Sequence, residues 1–471
     1  METKKRNNII VTTTFLLLIS CIVFLAYSDL KSSLKGSSKG NLIGKGIRSA
    51  GPVKMKTGLN NRFYYENKQV YLNIDLKADK VEAKRERTPL NLAVVIDRSG
   101  SMDEKNKLTY VKKAVENIID NLDEGDYVSL VAYNDEVTVL QKTTQVESRY
   151  LLKEKVNKLN AAGFTNLSGG MLEGFDQVSR SYKKGYVNRV LLLSDGLANR
   201  GITDRFKLAE KVRDLNKEGG IVISTFGVGN DFNEDLMTDL AEYGKGNYYY
   251  IRDAEQIPDI FAHELSGVRM LVAQNTKVTV RFPDNYLSLN RVFGYPYEVH
   301  GDEVTIDFKD VFSEQNKTVL LKFNVIRPVS SRLEFDCELR YNDVTNNFLT
   351  MSETEHCSIN AAVSKAEYEK GYDEKVQQSV ALFETNDLME QALREADLGN
   401  YEKAKEKMQT GRAYMDEQMS NIAPSPEMKR QVETMDRYDK DLKSAETKTE
   451  EERKEMQKSG KYDNYNTRKN N

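Results

Sequence analysis

The chain has 471 residues, too many for one ordinary hydrophobic core, and its length suggests about three domains. Its 69 lysine and arginine residues nearly balance 72 aspartate and glutamate residues, and the formal net charge of -3 argues against a nucleic-acid-binding surface. The three histidines, His263, His300 and His356, are scattered along the chain, which argues against a histidine-rich zinc site.

The first 28 residues are predicted to be a signal or membrane anchor. Lys4, Lys5 and Arg6 precede a largely apolar run, Ile9 to Tyr27, which would span about 28 Å as a helix. We expect an uncleaved anchor with its basic end in the cytoplasm, and the alternatives are a cleaved signal peptide and a lipoprotein acylated at Cys21. Each interpretation places the rest of the chain outside the cytoplasm, at the cell surface or in the periplasm.

The next segments predict a linker and then part of a β-sandwich. Residues 29–56 are rich in Gly, Ser and Lys, which is typical of a flexible linker. Residues 57–88 contain a strand candidate, Val70 to Leu76, whose residues alternate between apolar and polar. Residues 268–360 hold further short strands separated by turn residues, a spacing typical of a β-sandwich. We therefore expect 57–88 and 268–360 to form one sandwich, into which the intervening residues are inserted.

Residues 89–267 alternate strands with amphipathic helices. The strand candidates are Leu92–Ile96, Tyr127–Tyr133, Val137–Leu140, Val190–Ser194, Val222–Gly227 and Tyr248–Ile251. The helix candidates are Lys107–Leu122, Leu167–Tyr182, Asp204–Lys217 and Glu234–Tyr243. This alternation indicates βαβ units with right-handed crossovers. The fold class is therefore α/β, with a doubly wound, Rossmann-like and largely parallel sheet.

The carboxyl-terminal part is predicted to be helical and then disordered. In residues 361–445, apolar residues recur at three- and four-residue spacing on both sides of Pro424 and Pro426, which break the helix. This pattern favours an antiparallel helical hairpin. Residues 446–471 lack apolar periodicity, which indicates a disordered tail.

Two cysteines, Cys337 and Cys357, lie in the predicted sandwich. In an oxidising compartment they could form a disulfide, and the alternative is two buried thiols on neighbouring strands. The Cα separation that decides between the two is not given by the sequence.

Oxygen-bearing side chains follow two buried strands of the α/β segment. One strand runs directly into an Asp-x-Ser-x-Ser motif, and a second ends in Ser-Asp-Gly. The five candidate metal ligands are Asp97, Ser99, Ser101, Thr165 and Asp195. Because parallel sheets place ligand sites at the carboxyl ends of their strands, these residues are expected at one edge. Hydroxyl and carboxylate oxygens suit a small hard cation such as Mg²⁺, with Mn²⁺ and Ca²⁺ as alternatives.

These motifs resemble the metal-ion-dependent adhesion site of von Willebrand factor A domains, over about residues 89–266. With their β-rich flanks they further resemble bacterial membrane-associated A-domain proteins, which are similar in layout to inter-α-trypsin inhibitor heavy chains and calcium-activated chloride channel regulators. The resemblance implies that Ser99 and Ser101 coordinate the metal through their hydroxyls. It implies that the other three ligands bind directly or through water.

The predicted function is binding of a protein partner, or adhesion, by an extracytoplasmic, membrane-tethered protein. Because neutral hydroxyls leave the ion under-neutralised, an Asp or Glu of the partner is the expected sixth ligand. Enzyme activity is not expected, since no nucleophile elbow or phosphate-binding loop occurs, and Gly267 stands where a zinc-protease motif beginning at His263 would need its second histidine. The alternatives are an adaptor in an envelope or AAA+ ATPase-linked complex, and a scaffold whose helical region recruits partners.

Overall fold

The computed structural model describes residues 51–66, 69–81, 88–269, 271–327 and 332–469. The predicted signal or anchor (residues 1–28) and most of the predicted linker lie outside these ranges. Among the described residues, no helix combines the length and apolar character needed to cross a membrane.

The strands are numbered in chain order. They are β1 (Val53–Leu59), β2 (Phe63–Tyr64), β3 (Val70–Ala78), β4 (Leu90–Asp97), β5 (Tyr127–Tyr133), β6 (Val137–Gln145), β7 (Val187–Ser194), β8 (Val222–Val228), β9 (Lys245–Ile251), β10 (Leu271–Arg281), β11 (Leu287–Phe293), β12 (Tyr297–His300), β13 (Glu303–Phe312), β14 (Asn316–Val325), β15 (Leu333–Asp343) and β16 (Leu349–Ala361).

The α-helices are numbered in the same way. They are α1 (Lys107–Asp120), α2 (Arg149–Asn157), α3 (Leu167–Arg180), α4 (Arg205–Gly219), α5 (Glu234–Tyr243), α6 (Ile257–Arg269), α7 (Lys365–Glu369), α8 (Glu374–Asp397), α9 (Tyr401–Asn421), α10 (Pro426–Ser444) and α11 (Glu450–Lys469).

Two sheets flank one apolar core in the β-rich part of the chain. One has the strand order β1-β3-β14-β11 and the other β12-β13-β10-β15-β16-β2. Although β3 precedes the α/β segment and β14 follows it, the two pair antiparallel, with Val70 opposite Phe323 and Lys77 opposite Asn316. The α/β segment is therefore inserted between strands of a β-sandwich.

Strand β1 corrects the predicted extent of the linker. It begins at Val53, inside the segment 29–56 that its composition marked as flexible. Val53 and Met55 are buried in the sandwich core, whereas Lys54 and Lys56 are exposed. The alternating lysines raise the polarity of the segment, and only pairing with β3 shows that the residues between them face a core.

The α/β segment contains a six-stranded sheet in the order β6-β5-β4-β7-β8-β9. Neighbouring strands are parallel except for β5 and β6, which are antiparallel. Every residue of β4, β7 and β8 is buried, because separate apolar clusters cover the two faces of the sheet. The predicted α/β fold class, with a doubly wound and largely parallel sheet, is confirmed. Helix α2 was not predicted, because only Leu152 and Val156 of its residues are buried.

The predicted helical hairpin is part of a larger group of helices. Helices α8, α9, α10 and α11 share a cluster of buried residues that includes Met389, Met408, Met435 and Met456. The apolar residues that recur at three- and four-residue spacing in the sequence are therefore part of the core of this helical region.

The prediction of a disordered tail over 446–471 is wrong for most of its length, because α11 spans Glu450–Lys469. Tyr465 is buried in the same apolar cluster as residues of the α/β sheet, and its hydroxyl oxygen accepts a hydrogen bond from the main-chain N–H of Tyr248 at 3.2 Å. The Lys461 ammonium lies 2.7 Å from a carboxylate oxygen of Glu234 in α5. Sequence periodicity missed this helix because two tyrosines and several ion pairs, rather than an apolar stripe, attach it to the domain.

Cys337 and Cys357 are free thiols on the adjacent strands β15 and β16. Cys337 lies opposite Glu355, and Cys357 lies opposite Phe335, so the two cysteines are diagonal neighbours in the antiparallel ladder. The structure thus has two thiols on neighbouring strands, as in the second alternative, but only Cys337 is buried and Cys357 is half-buried.

We expect Tyr465→Ala to release α11 from the α/β domain. Deleting a buried aromatic side chain removes its packing and leaves a cavity, and it also leaves the N–H of Tyr248 without its acceptor. Limited trypsin digestion should then cleave within Glu450–Lys469 faster than in the wild type. Tyr150→Ala, which removes a side chain that is 70% exposed, is the matched control and should leave cleavage unchanged. Equal digestion of both variants would contradict this assignment.

Candidate metal centre

The centre lies where β4 and β7 end. The two strands pair in parallel, with Ile96 opposite Leu193, so their carboxyl ends meet at one edge of the sheet. Asp97 is the last residue of β4, and Asp195 directly follows β7. Both carboxylates are completely buried. The register of the parallel ladder therefore brings together two acidic residues that are far apart in the sequence.

The loop after β4 folds back on the first carboxylate. The main-chain N–H of Ser99 donates to Asp97 Oδ1 at 2.8 Å, and a 3₁₀ helix begins at Gly100. The N–H of Gly100 donates to the carbonyl oxygen of Gly163 at 3.0 Å. This last bond ties the Asp-x-Ser-x-Ser loop to the loop that carries Thr165.

The structure brings the five candidate ligands into one group. The hydroxyls of Ser99 and Ser101 share a hydrogen bond with their oxygens 3.3 Å apart, and Ser101 Oγ donates to Asp195 Oδ1 at 2.7 Å. Gly196 lies beside the remaining hydroxyl, since a Cβ built there would be 3.4 Å from Thr165 Oγ1 and 3.7 Å from Ser101 Oγ. The absence of a side chain at Gly196 keeps open the space beside these two hydroxyls.

Two further hydroxyls, which the sequence analysis did not identify, orient the first carboxylate. Ser194 Oγ donates to Asp97 Oδ2 at 2.8 Å, and the Tyr133 hydroxyl donates to the same oxygen at 3.3 Å. Burial nevertheless raises the pKa of Asp97 to about 6, and the negative charge of Asp195 adds to the rise. Two buried carboxylates that repel each other in this way favour a cation beside them.

Lys107 supplies a positive charge at the edge of the centre. Its ammonium lies 2.6 Å from Asp195 Oδ2 and 3.4 Å from the carbonyl oxygen of Ser101. The side chains of Lys107 and Asp195 are 6% and 0% exposed. This contact was not predicted, because a lysine at the start of an amphipathic helix is usually solvated. The left-handed backbone at Lys105 and Asn106 precedes the helix that carries Lys107.

The donor set fits a small hard cation. It consists of two carboxylates and three hydroxyls, the oxygen ligands that Mg²⁺ and similar ions prefer. In the part of the chain that the structure describes, no group of three or more His, Cys, Asp or Glu side chains is placed to share an ion. The candidate centre therefore depends on hydroxyl ligands. The assignment of Mg²⁺, and of each ligand, stays a prediction from the motif and this geometry.

We expect Thr165→Val to weaken Mg²⁺ binding by about tenfold without changing the fold. Valine has nearly the shape of threonine but lacks the hydroxyl, and a water molecule replaces a lost oxygen ligand only in part. Isothermal titration of the full chain with Mg²⁺ measures the change, and circular dichroism checks the fold. Thr165→Ser keeps the hydroxyl and serves as the control. Unchanged affinity in the valine variant would remove Thr165 from the ligand set.

Comparisons with known sequences confirm the resemblance to von Willebrand factor A domains. The family model of the von Willebrand factor type A domain matches residues 91–263. The uncharacterized protein YfbK of Escherichia coli strain K12 is 27% identical over 267 residues, which cover 55% of this chain and 46% of that protein. Inter-alpha-trypsin inhibitor heavy chain H3 of Mus musculus is 28% identical over 231 residues, which cover 46% of this chain and 25% of that protein. The chain spans less than half the length of these curated relatives.

Solved structures show the same fold over most of the chain. A von Willebrand factor type A protein from Catenulispora acidiphila matches with a TM-score of 0.66 at 14% identity, covering 82% of this chain and 89% of that chain. The ArnB paralog VWA2 from Sulfolobus acidocaldarius matches with a TM-score of 0.59 at 18% identity, covering 87% of this chain and 98% of that chain. The likeness thus extends beyond the α/β segment into the flanking regions. Residues 91–263 are therefore a von Willebrand factor type A domain.

Proposed function

We propose that this protein binds a partner protein through a divalent cation, Mg²⁺ in the first instance, held at the ends of β4 and β7. The observation that carries the proposal is the balance of buried charge. Asp97 and Asp195 contribute two negative charges and Lys107 contributes one positive charge, all of them buried. A divalent cation brings the sum to one positive charge, and a single external carboxylate neutralises it. An isolated buried charge is costly, so the loaded centre favours an anionic ligand.

The chain's own residues hold and orient the ion. The hydroxyls of Ser99, Ser101 and Thr165 are the neutral ligands, and the two carboxylates complete the set. A bound Mg²⁺ supplies a Lewis-acidic position at which a carboxylate oxygen of the partner replaces a water molecule. Main-chain and hydroxyl donors already fix both oxygens of Asp97, so that carboxylate needs little rearrangement to take up an ion.

We propose binding rather than catalysis for this centre. Two of the five oxygen donors, Asp97 and Asp195, are acidic. Among the described residues, the only other charged side chain in contact with the five donors is Lys107. Lys107 is engaged by Asp195, and both carboxylates are assigned to the ion. Among the described side chains in contact with these donors, none remains to act as a general base toward a metal-bound substrate.

We also propose that the domain works outside the cytoplasm, tethered to the membrane by the amino-terminal segment. The support is the basic and then apolar sequence of the first 28 residues, which the structure does not describe. Labelling intact cells with a membrane-impermeant reagent, after an engineered cysteine is placed on an exposed residue such as Lys217, tests this location. Labelling only after lysis would place the domain in the cytoplasm.

The central experiment is display of random peptides against the immobilised full chain. Selection in Mg²⁺ followed by elution with EDTA recovers the peptides whose binding needs the ion. We expect an aspartate or glutamate in the recovered peptides. No peptide eluted by EDTA, or eluted peptides without a carboxylate residue, would contradict the proposal.

A further inference from the structure

We propose that a hydrophobic rim beside the metal centre, formed by Phe164, Leu197 and Ile202 together with Arg200, selects a partner whose acidic residue is flanked by large apolar residues. This inference rests on the proposed function, because the acidic residue is the one that reaches the ion. It adds that the partner residues on either side of this acidic residue are large and apolar.

The rim residues are unusually exposed for their type. Phe164, Leu197 and Ile202 are 54%, 58% and 39% exposed. Single exposed apolar residues are common on protein surfaces, but neighbouring ones mark interaction sites. These three come from two short segments, and each segment also carries a candidate ligand: Thr165 follows Phe164, and Asp195 lies two residues before Leu197.

Hydrogen bonds join the two segments next to the ligands. The N–H of Thr165 donates to the side-chain oxygen of Asn199 at 2.9 Å, and the N–H of Asn199 donates to the carbonyl oxygen of Thr165 at 3.2 Å. The N–H of Ile202 donates to Ser168 Oγ at 2.8 Å, at the start of α3. The backbone that carries the rim is therefore attached directly to the backbone that positions the candidate ligands.

Arg200 adds a charge to the rim. The carbon of its guanidinium group lies 4.8 Å from the centroid of the Phe164 ring, within the range of a cation–π contact. The arginine thus packs against Phe164, which precedes the candidate ligand Thr165, and brings a positive charge to this part of the rim. Together with the excess positive charge of the loaded centre, this arrangement favours an acidic partner and disfavours a basic one.

The geometry of an extended peptide matches this surface. When a carboxylate reaches the ion, its neighbours one or two residues away lie within about 4 to 7 Å along the chain, close enough to cover side chains that adjoin the ligands. Large apolar side chains in those positions would bury Phe164, Leu197 and Ile202, while polar ones would leave them in water. The occupant is therefore an exposed segment of a partner protein, with Asp or Glu between apolar residues.

Peptide display on variants of the full chain tests the rim. Phe164→Ser with Leu197→Ser removes two rim residues without touching a candidate ligand. The matched control is Tyr150→Ser with Leu151→Ser, which are 70% and 58% exposed on α2. Helix α2 begins shortly after Gln145, the last residue of β6. Gln145 lies opposite Tyr127, the first residue of β5, so the start of α2 is near the amino ends of the parallel strands, away from the metal centre. Mg²⁺ titration of each variant checks that the centre is intact.

We expect the wild type and the control to recover peptides with an acidic residue flanked by apolar residues. The rim variant should still recover acidic peptides in Mg²⁺ but without the apolar flanks, and it should bind a synthetic peptide of the wild-type consensus at least tenfold more weakly. If the wild type recovers acidic peptides without apolar flanks, the proposed role of the rim is contradicted. The proposed function would not be contradicted by that result. No EDTA-eluted peptide from the wild type would overturn both.

Discussion

Replacing Asp97 with asparagine is expected to abolish Mg²⁺ binding, weakening it by at least about a hundredfold. Asparagine keeps the size and one oxygen of the side chain but removes a negative charge from a buried position, so a divalent cation would leave two unneutralised positive charges there. Isothermal titration of the full chain measures the loss. Asp103→Asn removes the same charge from an exposed position of the same loop and should leave the affinity unchanged.

The same variant should stabilise the protein when no metal is present. Burial raises the pKa of Asp97 from 3.8 to about 6, so the folded state holds its proton more tightly than the unfolded state does. Well below pH 4 the group is protonated in both states and costs nothing. Between about pH 4 and 6 the unfolded state loses this proton while the folded state keeps it, so the free energy of unfolding falls by on the order of 3 kcal/mol and stays lower above pH 6. At pH 7.5 without metal, Asp97→Asn should therefore unfold at a higher temperature than the wild type, and Mg²⁺ should raise only the wild-type value.

A wild-type protein that Mg²⁺ does not stabilise, or a variant that Mg²⁺ stabilises equally, would contradict this account. The thermal measurement is informative even where the affinity is too weak to titrate. It separates a ligand from a residue that only supports the loop, because loss of a supporting residue lowers stability in both conditions.

Replacing Lys107 with methionine is expected to tighten Mg²⁺ binding by about ten- to a hundredfold. The ammonium lies 2.6 Å from Asp195 Oδ2, where it neutralises a candidate ligand and repels a cation bound beside that carboxylate. Methionine retains most of the length and the apolar character of the lysine stem. Lys105→Met, which removes an exposed ammonium two residues earlier, is the matched control and should change the affinity little.

The charge of Lys107 should also affect selectivity for carboxylates. Without it, the two buried carboxylates and a divalent cation sum to zero, so an acidic ligand no longer completes the neutralisation. In peptide display, Lys107→Met should recover peptides less enriched in Asp and Glu than those recovered by the wild type. Without metal the variant should unfold at a lower temperature, since Asp195 loses the buried ammonium that neutralises it. Weaker Mg²⁺ binding in this variant would show that Lys107 positions Asp195 rather than opposing the ion.

The fold of the α/β domain and the candidate ligands follow from local sequence patterns. Continuous apolar runs predicted β4, β7 and β8 because these strands are buried on both faces. The polar residues that end β4 and β7 predicted the centre, because parallel strands bring their carboxyl ends to one edge. Sequence periodicity did not predict β1, which buries only one of its faces, or α11, which ion pairs and tyrosines attach to the domain.

Local sequence patterns were enough to predict the α/β architecture, its insertion between strand-rich segments and the five candidate oxygen donors, four of which end or follow β4 and β7. The contacts of Lys107 with Asp195, of Ser194 and Tyr133 with Asp97, and of α11 with the domain appear only in the folded structure. Strand and helix periodicities depend on neighbours in the sequence, whereas these contacts join residues 36 to 217 positions apart. The direction in which a polar side chain points is fixed by packing, and no spacing rule encodes it.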